Sequence, residues 1–221
     1  MKRIIFILFF IAVGYAVFAQ ANYNKYNYYS VGIKLGPDFY NYDLDQSKLM
    51  SLEPSTNFSF GVTGAYYVSW VFEVHGNINF SSRNLTLLWD FPEAPDALAK
   101  SEYKLNYINI PLEARVNALY FNWMKLNFGM GLMPEFRFRP REFLTYQDGS
   151  SAESFKFWGT KNFKSFLFAI PLSMNMKFYL DRHLTIEFNA SYYLYLNKMH
   201  TDYLDKPANA LATRIGISYE W

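Results

Sequence analysis

The chain has 221 residues, of which 51% are hydrophobic, 21% aromatic and 18% charged, with a formal net charge of +2. So much apolar material excludes a disordered chain, and the absence of Cys excludes a disulfide scaffold and any cysteine-ligated zinc or iron–sulfur centre. The small net charge argues against nucleic acid as a partner, and a mean hydropathy of −0.10 argues against clustered transmembrane helices.

The N-terminus comes first. Met1-Lys2-Arg3 is basic, Ile4 to Phe18 is apolar, and Val17 and Ala19 occupy the −3 and −1 places before Gln20. That order predicts a secretory signal peptide over residues 1–19. The apolar stretch is short for a membrane span of about 20 residues, and a polar Tyr- and Asn-rich segment follows it. No Cys stands at the cleavage point, which excludes a lipoprotein. Cleavage leaves 221 − 19 = 202 residues, read as a short periplasmic segment over 20–27 and one domain over 28–221.

Beyond the signal, no apolar run approaches the length of a spanning helix. Hydrophobicity instead repeats every second residue. From Ser59 to Trp70, Phe60, Val62, Gly64, Tyr66, Val68 and Trp70 alternate with small or polar residues. From Met124 to Phe138, Met124, Leu126, Phe128, Met130, Leu132, Phe136 and Phe138 fall on one parity. Alternation of this kind marks strands with one apolar face.

Eight strands follow in chain order: Tyr28–Phe39, Asn57–Ser69, Phe72–Leu85, Lys104–Ala118, Trp123–Arg139, Phe163–Leu180, Leu184–Asn197 and Ala210–Trp221. The fourth has a phase slip. Tyr103, Leu105 and Tyr107 share one parity, whereas Ile108, Ile110, Leu112, Ala114 and Val116 share the other. Either a bulge or a strand leaving the membrane would produce this slip. Pro111 and Pro171 weaken their strands locally, because proline removes a ladder donor.

Connections alternate between short (around Trp70-Val71, Leu119 to Asn122, Asp181 to His183) and long (Tyr40 to Thr56, Thr86 to Tyr103, Pro140 to Asn162, Lys198 to Asn209). Short turns at one end and long loops at the other are the pattern of an outer-membrane barrel. The predicted fold is therefore all-β: an eight-stranded antiparallel transmembrane up-and-down β-barrel after the signal peptide. Both termini are expected in the periplasm.

The outward set expected to meet lipid is Val31, Ile33, Leu35, Phe58, Phe60, Val62, Val74, Ile78, Phe80, Ile186, Phe188, Tyr192, Ile215 and Ile217. The inward set carries the charge: Glu73, Glu113, Glu135, Glu187 and Glu220 against Lys34, Arg115, Lys125, Arg137, Arg139, Lys177 and Arg214. Unpaired charges in an enclosed lumen are costly, so an ion-pair network with Asn77, Asn127 and Asn189 is expected. Eight strands leave room for side chains alone, which predicts a plug and not a pore. The opposite assignment, a soluble lipocalin-like barrel, would force the whole Phe and Met set into one small lumen. Tyr28, Tyr29, Tyr66, Tyr67 and Trp70 are expected in interfacial girdles. The alternating end Ile215, Ile217, Tyr219, Trp221 resembles the C-terminal strand recognised by barrel-assembly machinery.

Catalytic signals are few. His75 stands in the inward row beside Glu73 and Asn77 and reads as a hydrogen-bonded lumen residue; His183 falls in a short turn and His200 in a loop. Ser81 and Ser82 share a strand with His75 without a spacing that supports nucleophilic catalysis. The sequence therefore supports no enzyme, no catalytic, metal or cofactor-binding residue and no cofactor. The acids from Glu93 to Asp96, with Pro92 and Pro95, mark a turn-rich external loop and a weak candidate for calcium. Inward glycines such as Gly61, Gly129 and Gly131 read as space for bulky lumen neighbours.

The segments Val31-Gly32-Ile33-Lys34-Leu35-Gly36, Phe60-Gly61-Val62, Phe72-Glu73-Val74 and Tyr107-Ile108-Asn109-Ile110-Pro111-Leu112 resemble the PorT family, small outer-membrane barrels of Bacteroidetes. The signal ending Phe18-Ala19-Gln20 and the segment Ser82-Arg83-Asn84-Leu85-Thr86 are also similar to that family. The resemblance implies a small OmpA-like porin-family barrel and a part in type IX protein secretion. The residues themselves point to a non-enzymatic scaffold or interaction subunit with long extracellular loops and a filled lumen, with secretion or a narrow pore for small solutes as alternatives. Expected partners are outer-membrane lipid or lipopolysaccharide, the assembly machinery through the strand ending at Trp221, and other outer-membrane or periplasmic proteins; nucleic acid is not among them.

Overall fold

A computed structural model describes residues 29–43, 50–53, 56–89, 98–154, 163–200 and 206–221. The expected signal peptide, the segment 20–27, Tyr28 and the acids from Glu93 to Asp96 lie outside the described residues. The strands are β1 (Tyr29–Asn41), β2 (Met50–Glu53), β3 (Thr56–Tyr67), β4 (Phe72–Trp89), β5 (Leu98–Asn109), β6 (Leu112–Tyr120), β7 (Met124–Tyr146), β8 (Ser151–Ser154), β9 (Phe166–Tyr179), β10 (Leu184–Tyr195) and β11 (Asn209–Glu220). No helix among the described residues is long and apolar enough to cross a membrane.

Each strand pairs antiparallel with its neighbour, and the ladder returns to its start. β1 pairs β3 on one side and β11 on the other, and the circuit runs on through β4, the β5–β6 pair, β7, β9 and β10. Closure leaves no free edge in the eight-walled ring, so every wall has its backbone partners. The short β2 and β8 extend the upper ends of β4 and β7.

β5 and β6 make one wall, interrupted at Ile110-Pro111. The proline cannot donate, yet the ladder continues around it: Asn77 N donates to the Pro111 carbonyl (3.0 Å), and Ile110 N to the Pro134 carbonyl (3.0 Å). Pro171, by contrast, sits within β9 without breaking it, opposite Tyr193.

All eight expected strands are present, most reaching further toward the long-loop end. β4 runs 18 residues, to Trp89, and β7 runs 23, to Tyr146. Ordinary sheets use strands of about 5–6 residues. The added length is not lipid-facing. Above Phe80 the outward positions of β4 become Ser82, Asn84 and Thr86 before Leu88 at its end, while Leu85 and Leu87 turn inward and are buried.

The same exchange explains the phase slip in the β5–β6 wall. Every odd position from Tyr103 to Asn117 faces inward without a break. The backbone does not slip; the chemistry does. Asn109, Glu113, Arg115 and Asn117 fill the lower lumen, and Tyr103, Leu105 and Tyr107 belong to an upper apolar core with Leu85, Leu87, Met133, Phe163, Leu167, Tyr193 and Tyr195. Low in the ring the exterior is apolar and the interior polar. High on the extended β4, β5 and β7 walls the order reverses, as it does in a sheet that faces water, whereas Phe39 and Leu211 keep β1 and β11 apolar outside almost to their upper ends.

The lower exterior carries the expected outward set. Ile33 is 61% exposed, Phe60 56% and Ile217 52%. So continuous an exposed apolar surface does not persist in water, which places lipid against it and rejects the lipocalin-like arrangement.

Candidate functional site

The strands position a charged lumen at the level of this apolar belt. Twelve charged side chains are buried among the described residues: Asp38, Glu73, Glu113, Glu135, Glu187 and Glu220 against Lys34, Arg83, Arg115, Lys125, Lys177 and Arg214. Six acids thus meet six bases. Dehydrating an ion costs several kcal/mol (roughly, after relaxation), so a sealed lumen is sustained only when each charge is opposed.

Glu73 on β4 is the hub. Its carboxylate lies 3.4 Å from Lys125 Nζ, 3.5 Å from Arg115 Nη1 and 3.7 Å from Lys177 Nζ. Lys177 on β9 also reaches Glu187 and Glu220, each at 3.5 Å. It donates to the Tyr67 hydroxyl at 2.7 Å, which in turn donates to Glu220 Oε1 at 2.6 Å. Lys34 closes on Glu187 at 3.2 Å, and Arg115 Nε donates to Glu113 Oε2 at 2.9 Å, where the Ser173 hydroxyl donates as well (2.6 Å).

Two further pairs stand above this hub. Arg83 Nη2 donates to both Glu135 oxygens, at 2.7 and 2.6 Å, and lies among the rings of Tyr40, Tyr107 and Tyr195 at 4.3, 4.2 and 5.3 Å from their centroids. Arg214 bridges Asp38 at 2.8 Å, and donates to the Ser59 hydroxyl at 2.9 Å and to the Tyr193 hydroxyl. Charge, then aromatic rings, then aliphatic core succeed one another up the interior.

Of the inward charges expected from sequence, ten take their places in this network. Arg139 does not: it is exposed, because a bulge on β7 turns the chain at that point. Arg137 is half-buried near the upper rim, 5.8 Å from the Phe163 ring. Asp38 and Arg83 were missed. Arg83 follows Ser81 and Asn79 at even spacing in β4, so extending the inward row to the end of the strand would have found it.

Asn77, Asn127 and Asn189 all point inward and are buried; Asn189 accepts from the Ser191 hydroxyl at 2.8 Å. Tyr67 is buried at the centre of the Lys177–Glu220 relay and so leaves the expected girdle. Tyr29 and Tyr66 remain in it, their rings 5.3 Å apart, and Trp221 joins Tyr29 at 6.1 Å.

His75 occupies the predicted inward place. Its Nε2 lies 3.1 Å from Lys34 Nζ and 2.7 Å from Thr63 Oγ1. An ammonium only donates, so Nε2 accepts and the neutral ring carries its proton on Nδ1. His183 lies in the β9–β10 turn with Nδ1 2.8 Å from the Glu220 carbonyl, and His200 is buried with its ring edge-on to Phe163 at 4.4 Å. Among the described residues, the three histidines do not converge, and no cluster of three His, Asp or Glu is placed to hold a metal. Gly129 shows why the lumen glycines are small. A Cβ there would stand 2.6 Å from Arg115 Cγ and 2.7 Å from Ser173 Oγ.

A sealed antiparallel ring with an apolar exterior and a paired charged interior defines an outer-membrane β-barrel protein. Residues 18–201 match the family model described as outer membrane protein beta-barrel domain, and the chain belongs to that family. Among solved structures, it is similar to Ail, the attachment invasion locus protein of Yersinia pestis (12% identity, 89% of this chain and 100% of that one, TM-score 0.51). Neisserial surface protein A aligns at 11% identity over 87% and 97% of the two chains, TM-score 0.51. A major outer membrane protein from Thermus thermophilus aligns at 10% identity over 87% and 99%, TM-score 0.51. At such identities the likeness is one of fold. No curated protein matches the chain in sequence.

Proposed function

We propose that the protein is a non-enzymatic scaffold or interaction subunit of the outer membrane, working through its long-loop end. One observation carries this reading: the lumen is filled from the Glu73 hub to the apolar core around Leu105 and Tyr107, so the ring supports a rigid wall and not a passage. The wall's extension above the lipid-facing belt supplies a polar exterior suited to contact with other molecules. The short turns and both termini would then lie in the periplasm, and β11 with Trp221 would be the segment read by barrel-assembly machinery. The motif resemblance to PorT supports a narrower version of the same reading, in which the contacts serve type IX secretion.

Crosslinking in native membranes, followed by identification of the captured proteins, tests both. Partners crosslinked through the loop end support a scaffold, and components of secretion among them support the narrower version. Discrete conductance steps in planar bilayers, with no crosslinked partner, would establish a pore instead.

A further inference from the structure

A cluster of cations stands on the exterior immediately above the lipid-facing belt. Lys104 on β5 and Arg141 on β7 are direct ladder partners, and both are exposed. Side chains opposite one another in an antiparallel pair have Cβ atoms about 4.5–5.5 Å apart, and like charges there repel. Arg139, two residues before Arg141, is exposed as well.

The backbone is bent to produce this arrangement. The β5–β7 register shifts by one residue between Lys104 and Asn106, and Arg139 takes φ 45 at that point. Below the shift, odd-numbered β7 residues such as Met133 and Glu135 face the lumen; above it, Arg141 faces out with Lys104. Without the register shift Arg141 would stand opposite the inward Tyr103 and face the lumen as Glu135 does. A bulge re-aims side chains in this way, and a left-handed conformation at a non-glycine residue carries a strain cost. Here it leaves Arg139 exposed in the bulge and turns Arg141 to the outer face.

Around the cluster, Glu102 is held by Lys100 at 2.8 Å, and Glu142 pairs in the ladder with the inward Tyr103. Lys104 Nζ lies 4.8 Å from the Phe143 ring, which holds the ammonium along the outer wall. Directly below, Ile108, Phe136 and Phe138 face outward, with Phe138 edge-on to Phe80 at 6.3 Å.

We propose that Lys104, Arg139 and Arg141 bind the phosphorylated headgroup of an outer-leaflet lipid whose acyl chains lie against Ile108, Phe136 and Phe138. Position selects the occupant: cations directly above an apolar, aromatic wall match an amphiphile with phosphate at its head. Guanidinium groups bind phosphate with paired, charge-assisted hydrogen bonds. This inference rests on the membrane placement and assigns residues to one of its lipid contacts.

The test uses the full chain refolded in phosphatidylcholine vesicles and offered bisphosphorylated lipid A, dephosphorylated lipid A or inorganic phosphate. Lipid retained per barrel after gentle detergent extraction is counted by mass spectrometry. Bisphosphorylated lipid A should be retained in preference to the dephosphorylated form, and K104Q/R139Q/R141Q should lower retention at least about tenfold. K104Q and R141Q alone should each give part of that loss, and they decide the matter should the triple variant fail to insert. R182Q, in the β9–β10 turn at the opposite end, should retain the wild-type amount. Equal retention of both lipid A forms, undiminished retention in the variants, or an equal loss in R182Q would overturn the proposal. Full displacement by millimolar inorganic phosphate would assign the site to a free anion and overturn the lipid assignment. If the wild-type chain does not insert at all, the membrane placement fails; if it inserts without a phosphate preference, only this inference does.

Discussion

Glu73 stands within 3.7 Å of three cations and has almost no exposure, which makes it the residue on which the lower lumen depends. Replacing a buried pair with apolar groups can be neutral, but removing one partner strands the others. Glu73→Gln keeps the shape and removes the charge, leaving Lys125 and Lys177 in excess. Unfolding in urea from detergent micelles should show a loss of about 3–5 kcal/mol; a loss below about 1 kcal/mol would mean that water reaches the hub. Gly129→Ala tests packing at the same level. Its Cβ would press on Arg115 Cγ and Ser173 Oγ, and overpacking of this kind costs about 1–3 kcal/mol. The same urea titration reads it.

At the scale of a strand, the reversal of chemistry along β4 and β5 predicts opposite responses to substitution at neighbouring heights. Ile78→Lys, in the lipid-facing row, should cost about 2–4 kcal/mol, whereas Thr86→Lys, outward but higher, should be close to neutral. Leu105→Ala should cost about 2–5 kcal/mol, because it empties a fully buried place in the upper core. Equal effects at Ile78 and Thr86 would show that the belt extends to the strand ends. The β9–β10 turn makes a pH prediction. Asp181 accepts from the backbone N–H groups of His183 and Leu184, both at 2.7 Å, which holds its carboxyl below the usual carboxylate value. Its contribution to stability is present above the unfolded pKa of about 4 and is lost as pH falls through the lower folded value. Asp181→Asn should therefore flatten the acid limb of the stability profile and leave the neutral region's slope unchanged.

The eight walls and the belt were legible because period-two alternation is written in every strand, from Val31-Ile33-Leu35 to Ile215-Ile217-Tyr219. What hid the upper third was the same rule with its sign reversed: Leu85 reads as a strand end, Leu87 as part of a loop, and Tyr103 and Leu105 as a slip until the medium outside is known to change. The lumen's charges were legible by parity as far as the parity held. Arg139 departs because one inserted residue, invisible in the pattern, flips everything after it. Arg83 lies inside the expected Phe72–Leu85 strand and on the inward parity of Glu73, His75 and Asn77, so continuing that row reaches it without any further signal. Tyr67 was assigned by residue type and not by parity, and its hydroxyl serves the Lys177 relay instead of the interface.

The whole molecule is a sealed ring, and its resistance to disruption should be cooperative. Unboiled in SDS, the folded chain should migrate away from its boiled form, since the walls expose no edge for detergent to open; identical migration would contradict a closed membrane barrel. Few of its contacts are local. Tyr29 N donates to the Trp221 carbonyl at 3.1 Å and Trp221 N to the Tyr29 carbonyl at 3.0 Å, so the seam joins residues separated by almost the entire described chain. Timing follows from that seam. Seven walls without β11 would present two unpaired borders, each inviting a stranger's strand, and β11 follows every other described wall in chain order. Until β11 pairs on both sides the molecule is an open sheet, so a lesion that keeps β11 from docking bares both borders at once.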